Sequence, residues 1–149
     1  MRTLPRLPEA TRAAFLAAAR AYVGVRWRHL GRSQKGVDCI GLVIAALRDC
    51  GVAVDSPPTY TREPDGTLRD GLIERLGEPV TDWRAGDVVL MRWNTLNGPH
   101  CHVGILGTNR GEWTLLHAYL AEQRVVEHRL DGHWPRRIAD VFSLTGGAA

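Results

Sequence analysis

The sequence predicts an α+β fold, with N-terminal helices packed on an antiparallel β-sheet of about five strands. Three observations lead there. Apolar residues recur at helical spacing early in the chain, at Phe15, Ala18, Ala19 and Tyr22 and again at Ile40, Val43, Ile44 and Leu47. The second half holds short strand-like runs separated by turn residues. The two patterns are segregated, which favours helices on an antiparallel sheet over strands alternating with crossover helices. With 149 residues the chain is long enough for one domain with a real core. A single domain over 1–149 is expected, with 1–7 and 146–149 as flexible tails.

Each element has a local reason. Pro8 and Glu9 open the first helix, which runs to about Val23 and stops at Gly24. Val25 to Gly36 reads as an irregular loop. Asp38 is a good N-cap, so the second helix begins at Asp38 or Cys39 and ends near Cys50 and Gly51. Val52 to Gly66 carries Pro57, Pro58 and Pro64 and reads as loop. A short helix covers Thr67 to Leu76 and is closed by Gly77. The turn Asp82 to Asp87 leads into a strand over Val88 to Trp93, and Asn94 to Pro99 is rich in turn residues. Strands at Cys101–Gly107 and Trp113–Tyr119 flank a hairpin loop at Thr108–Glu112. Two further strands, Arg124–Leu130 and Ile138–Leu144, complete the sheet.

Composition removes several function classes. The net charge of +3 is too small, and too scattered, to argue for nucleic acid as a partner. Three widely spaced cysteines, Cys39, Cys50 and Cys101, suggest neither a disulfide framework nor a zinc ribbon. His100, Cys101 and His102 alternate across a strand and make poor joint ligands, so no metal or other cofactor is expected. No apolar run approaches the ~20 residues that span a bilayer, so no membrane span is expected. The N-terminus, with its prolines and charges, does not read as a secretory signal. The chain is therefore expected to be made in the cytoplasm without a signal peptide.

The chemistry centres on Cys39. Its place in the first helical turn, next to unpaired N–H groups and the positive dipole end, favours a thiolate. A helix end contributes only about 0.3–1 kcal/mol to an anion. That moves a thiol part of the way from about 8.5 to a reactive value, so a cationic partner is needed, and imidazolium is the usual one. Six histidines are available: His29, His100, His102, His117, His128 and His133. Folding the Thr108–Glu112 hairpin makes residues whose numbers sum to about 220 face each other. His102 then lies opposite or beside His117, near enough for one imidazole to orient the other. His100 would share the strand face with His102. A nucleophile on a helix end, a base on a strand and an orienter on the next strand is the arrangement of papain-like cysteine hydrolases.

The run Gly36-Val37-Asp38-Cys39-Ile40-Gly41-Leu42-Val43 resembles the Asp-Cys-Ser-Gly-Leu motif of the NlpC-type murein peptidase family. His102-Val103-Gly104-Ile105 is similar to that family's His-Val-Gly-Ile strand, and His117-Ala118 to its third catalytic position. Ala85-Gly86-Asp87-Val88-Val89 resembles its Pro-Gly-Asp turn and strand. Val23-Gly24-Val25-Arg26-Trp27-Arg28-His29 resembles the Gly-Thr-Pro-Tyr-Arg segment before the cysteine. Lys35-Gly36-Val37, Arg92-Trp93 and Trp134-Pro135-Arg136-Arg137 resemble the branch carried in phage and gene transfer agent tails.

The resemblance implies a papain-like fold and a thiol endopeptidase acting on peptidoglycan stem peptides, commonly at the γ-D-glutamyl–diaminopimelate bond. It implies Cys39 as nucleophile, His102 as general base and then acid, and His117 as orienter. His102 is preferred over His100 because Val103-Gly104-Ile105 follows it. Asp38, Trp27 and Ile40 are the expected substrate-binding residues. The family's serine is Ile40 here and its upstream tyrosine is Trp27, which bears on recognition more than on chemistry. Tail or baseplate hub proteins are the expected partners, and the periplasm or cell wall the expected site of action. A catalytically weak structural component of a tail, with the same fold, is the alternative. A different thiol hydrolase or acyl-transfer enzyme is a third reading.

Overall fold

The computed structural model describes residues 7–57, 66–93 and 100–145. The expected loop at Asn94–Pro99, the prolines Pro58 and Pro64 and the tail at Gly146–Ala149 lie outside the described residues. Helix α1 spans Glu9–Arg20 and α2 spans Cys39–Asp49, with two-residue strands β1 (Arg32–Ser33) and β2 (Gly36–Val37) between them. Helix α3 covers Leu68–Leu76. The remaining strands are β3 (Val88–Arg92), β4 (His100–Asn109), β5 (Glu112–Tyr119), β6 (Arg124–Arg129) and β7 (Ile138–Phe142). They form one antiparallel sheet in the order β6-β5-β4-β3-β7. The predicted α+β class with a five-stranded antiparallel sheet is therefore observed.

Local boundaries depart from expectation for physical reasons. Helix α1 stops at Arg20, not Val23, because the next amides tighten: Tyr22 N–H donates to Ala19 O and Val23 N–H to Arg20 O. Gly24, at φ +92, then turns the chain. The segment Val25–Gly36, expected to be irregular, contributes the short β1–β2 pairing, Arg32 to Val37 and Ser33 to Gly36. Leu7, expected in a flexible tail, packs on the core and donates its N–H to Leu144 O at 3.2 Å.

Strand alternation divides the core in two. One sheet face carries Val88, Leu90, Val103, Ile105, Leu116 and Phe142, packed under α1 and α2 through Phe15, Ala19, Leu42 and Leu47. Helix α2 is apolar nearly all round, which fits its central burial against α1 and the sheet. The other face carries Val89, Met91, Leu106, Leu115 and Val141, with Trp83, Trp113 and Trp134 packed on it. Asp87 is buried at the start of β3 beside Arg12, with 3.7 Å between Nε and Oδ1. Its Oδ2 accepts the Arg84 N–H at 2.9 Å, which closes the turn into β3.

Candidate active site

The site begins with how α2 is held. The Asp38 carboxylate caps the helix by accepting the Gly41 N–H at 2.7 Å, and also accepts the Leu30 N–H at 2.8 Å. Arg32 donates to Oδ1 at 3.3 Å, and His29 Nδ1 lies 3.9 Å from Oδ2. One buried carboxylate thus ties the preceding loop to the helix start. Gly41 makes this possible: a Cβ there would sit 1.9 Å from Gly31 O.

Cys39 is the first residue of α2. The N–H groups of Ile40 and Val103 point at its sulfur and favour the anion. Burial, and then the adjacent Asp38 carboxylate, work the other way and prevail, pushing the thiol up to about 12. The residue as a whole keeps partial solvent access.

The Val103 amide that meets this sulfur lies where β4 has parted from β5. The β4–β5 pairing runs from Asn109–Glu112 to Ile105–Leu116 and stops, while β5 goes on pairing with β6 as far as Tyr119–Arg124. His100 to Gly104 therefore pair with β3 alone. The observed register sums to 221, so His102 and His117 share one face on a diagonal, two residues off direct opposition. Their rings meet across the gap, with His102 Nε2 and His117 Nδ1 2.7 Å apart. Gly104 keeps the approach clear: a Cβ there would be 2.7 Å from a Leu115 methyl and 3.5 Å from His117 Cβ.

Both imidazoles are buried, and burial keeps them neutral. His102 is pushed down to about 3 by desolvation and then by the nearby Arg137 guanidinium. His117 is pushed down to about 2 by desolvation, then by His102 and His128. Trp93 stacks on His102 at 4.7 Å, and Trp134 meets His117 edge-on at 5.3 Å. Arg137 lies over both indoles, 5.4 Å from Trp93 and 4.9 Å from Trp134.

The expected residues are thus brought together unevenly. His102 and His117 are hydrogen-bonded. Among the described residues no hydrogen bond joins the Cys39 sulfur to an imidazole; it faces the amide of the residue after His102. Asp38 is buried, and each of its oxygens has a partner within the fold. Trp27 is half-buried against the helical core, stacked 6.4 Å from His29, and donates its N–H to Gln123 O. Ile40 is half-buried beside Cys39 and joins that core. His100 sits apart from the ring pair, its Nε2 buried without a partner among the described residues.

Three contributors escaped the sequence reading: His128, Arg137 and the pair Trp93–Trp134. His128 had a usable signal. Folding the β5–β6 hairpin about its turn gives a register sum of 243, which puts His128 on the face of His117, again on a diagonal.

Solved structures of low identity share the fold. An NlpC/P60 family protein from Bacillus cereus ATCC 10987 aligns with TM-score 0.65 at 16% identity, over 95% of this chain and 42% of that one. The NlpC/P60 domain of the peptidoglycan hydrolase SagA aligns with TM-score 0.59 at 21% identity, over 89% of this chain and 97% of that one. The P60 domain of an antigen from M. avium subspecies paratuberculosis gives 0.62 at 16%, over 91% and 96%. The chain spans less than half the length of the Bacillus cereus protein. A search of curated proteins gave no match. The family model described as NlpC/P60 matches residues 24–142, most of the chain and all of the site just described, and the protein belongs to this family of hydrolases, generally cysteine peptidases.

Proposed function

We propose that the protein is a cysteine endopeptidase that hydrolyses peptidoglycan stem peptides, at the γ-D-glutamyl–diaminopimelate bond. The observation that carries the reading is the buried 2.7 Å contact of His102 with His117, one residue along β4 from the Val103 amide that meets the sulfur of a cysteine on a helix N-terminus. With Nε2 engaged by His117, Nδ1 is the nitrogen His102 has left for the thiol. In the proposed reaction His102 Nδ1 takes the Cys39 proton as the sulfur attacks the scissile carbonyl. The tetrahedral oxyanion is met by the Cys39 backbone N–H, one of the first-turn amides without an intrahelical partner. His102 then returns the proton to the leaving amine, leaving a thioester on Cys39. Water, deprotonated by the same imidazole, attacks the thioester and releases the acid and the free thiol.

Since burial keeps thiol and imidazole neutral, proton transfer accompanies attack, and no ion pair waits in the resting protein. Trp27 and Ile40, half-buried against the helical core, would contact the substrate through their exposed edges. Asp38 would meet the amino end of a stem peptide by sharing oxygens already used for capping. The resemblance of Arg92-Trp93 and Trp134-Pro135-Arg136-Arg137 to tail-borne relatives supports a place in a phage-like or gene transfer agent tail. There the chain would dock on hub or baseplate proteins and act at the cell wall during DNA delivery.

The test is digestion of muropeptides of known linkage with products identified by mass spectrometry. Cys39→Ala and His102→Ala are expected to lose at least about 10³-fold in kcat, the scale of losing a member of a catalytic triad. A Cys39→Ala protein that clears purified peptidoglycan as fast as the parent ends the reading. One observation favours a second reading, a structural tail component: no hydrogen bond joins the thiol to an imidazole among the described residues, and burial raises it further from a thiolate. Under that reading the wild type releases no product and its alkylation rate at pH 6 does not change when muropeptide is added.

A further inference from the structure

The His102–His117 contact continues outward. His117 Nε2 lies 2.9 Å from His128 Nε2, and His128 Nδ1 lies 2.9 Å from Arg129 O. The three rings sit on adjacent strands β4, β5 and β6, each on a diagonal from the next. The chain of rings ends on a backbone carbonyl, which only accepts.

That end point fixes every proton in the chain. His128 Nδ1 must carry a hydrogen and donate it to Arg129 O. In neutral His128 the other nitrogen is then an acceptor, so His117 must donate from Nε2. Neutral His117 accepts at Nδ1, so His102 donates from Nε2. What remains on His102 is an unprotonated Nδ1, the form a general base requires.

We propose that His128 is a positioning residue: through His117 it sets the tautomer of His102 and so presents the Nδ1 lone pair to the thiol. This rests on the assignment of His102 as base. The arrangement also has a reverse setting. A proton added at His128 Nε2 makes that atom a donor. His117 then accepts at Nε2 and donates from Nδ1, and His102 accepts at Nε2 and carries its hydrogen on Nδ1, where no base remains. His128 is the half-exposed end of the chain. The groups in contact with its ring are His117 from β5 and Trp134, with Arg137 over that indole, while Glu127 and Arg129 flank it on β6 and alternate to the opposite face. It also borders an open hollow with Arg20, Thr108, Asn109 and Thr114.

Three measurements test this. In the wild-type protein, ¹⁵N shifts of the histidine rings at neutral pH should show Nε2–H for His102 and His117 and Nδ1–H for His128. Neutral His117 found as Nδ1–H overturns the proposal, whether or not the protein is active. In muropeptide hydrolysis, His128→Phe should lower kcat about tenfold with KM unchanged, because the loss of one neutral hydrogen bond frees His117 to take either tautomer. His128→Gln, whose carbonyl still accepts from His117, should keep kcat within about threefold of the parent's. Wild-type kcat in His128→Phe, or a kcat in His128→Gln as low as in His128→Phe, overturns it. Should His128→Phe fail to fold, the ring shifts and the glutamine variant still decide. A Cys39→Ala control that retains activity would refute the enzymatic reading and leave the tautomer assignment to stand on the shifts.

Discussion

Cys39 sits under two opposed influences that differ by one atom's position. The Asp38 carboxylate organises the helix start that gives the thiol its amide neighbours, yet its charge raises the cost of a thiolate next door. Asn in its place can still accept the Gly41 N–H, so the cap survives while the charge goes. Asp38→Asn should therefore make Cys39 more acidic. The expected result is alkylation by iodoacetamide a few-fold faster at any given pH, with the rate profile displaced to lower pH. The cost appears elsewhere: loss of the charged contact to Arg32 and of the acceptor for the Leu30 N–H should lower stability by about 1–2 kcal/mol in urea denaturation. Unchanged alkylation kinetics would mean that the carboxylate does not act on the sulfur.

Among the elements, the β4–β5 hairpin does most to assemble the rings, and Gly104 is the point on which it turns. A methyl at residue 104 meets a Leu115 methyl at 2.7 Å and touches His117 Cβ at 3.5 Å. Gly104→Ala should cost about 1–3 kcal/mol as an overpacked contact, measured by urea denaturation. It should also lower kcat at least as much as His128→Phe does, since the Leu115 side chain it displaces neighbours His117 on the same strand face. A variant with parent-like kcat would show that the ring pair tolerates movement. Much of this hairpin was legible beforehand. The Arg110–Gly111 turn, both residues at positive φ, centres the register within one unit of the expected sum, and the two-residue period did the rest. The β5–β6 hairpin was harder to read, because its turn uses Gln123 at φ 59, a residue that gives no glycine or asparagine signal. His128 was harder to place for that reason, although the register of that hairpin carries it. The β1–β2 pairing was hidden for another: two-residue strands have no alternation to detect, and theirs is held by contacts of Asp38, Gly31 and Gly36 that exist only in three dimensions.

At the scale of the whole molecule, the buried site leaves a signature in the dependence of stability on pH. His102 and His117 titrate well below an ordinary histidine, so between roughly pH 3 and 6.5 the unfolded chain binds about two protons that the folded one refuses. Stability contributed by these rings is complete above pH 6.5 and is lost as pH falls. Asp87 opposes them. Desolvation pushes it up to about 6, with the Arg84 amide and then Arg12 pulling back, so from about pH 4 to 6 the folded chain holds a proton the unfolded one has released. Its contribution falls as pH rises through that window. Two protons against one leave a net slope of about one, or about 1.4 kcal/mol of added stability per pH unit from 4 to 6. On the alkaline side the raised Cys39 thiol begins to cost stability above about pH 9, where the unfolded thiol ionises first. Asp87→Asn separates the terms. It removes the buried carboxylate beside Arg12, which keeps Glu9, Ser143 and Thr145, and should lower stability at pH 7 by about 1–3 kcal/mol. It also removes the opposing proton, so the acid slope should roughly double. Urea midpoints at half-unit steps from pH 4 to 8 measure both effects. A wild-type curve that is flat below pH 6.5, or an Asp87→Asn slope no steeper than the parent's, would mean that the two rings are not held neutral by the fold.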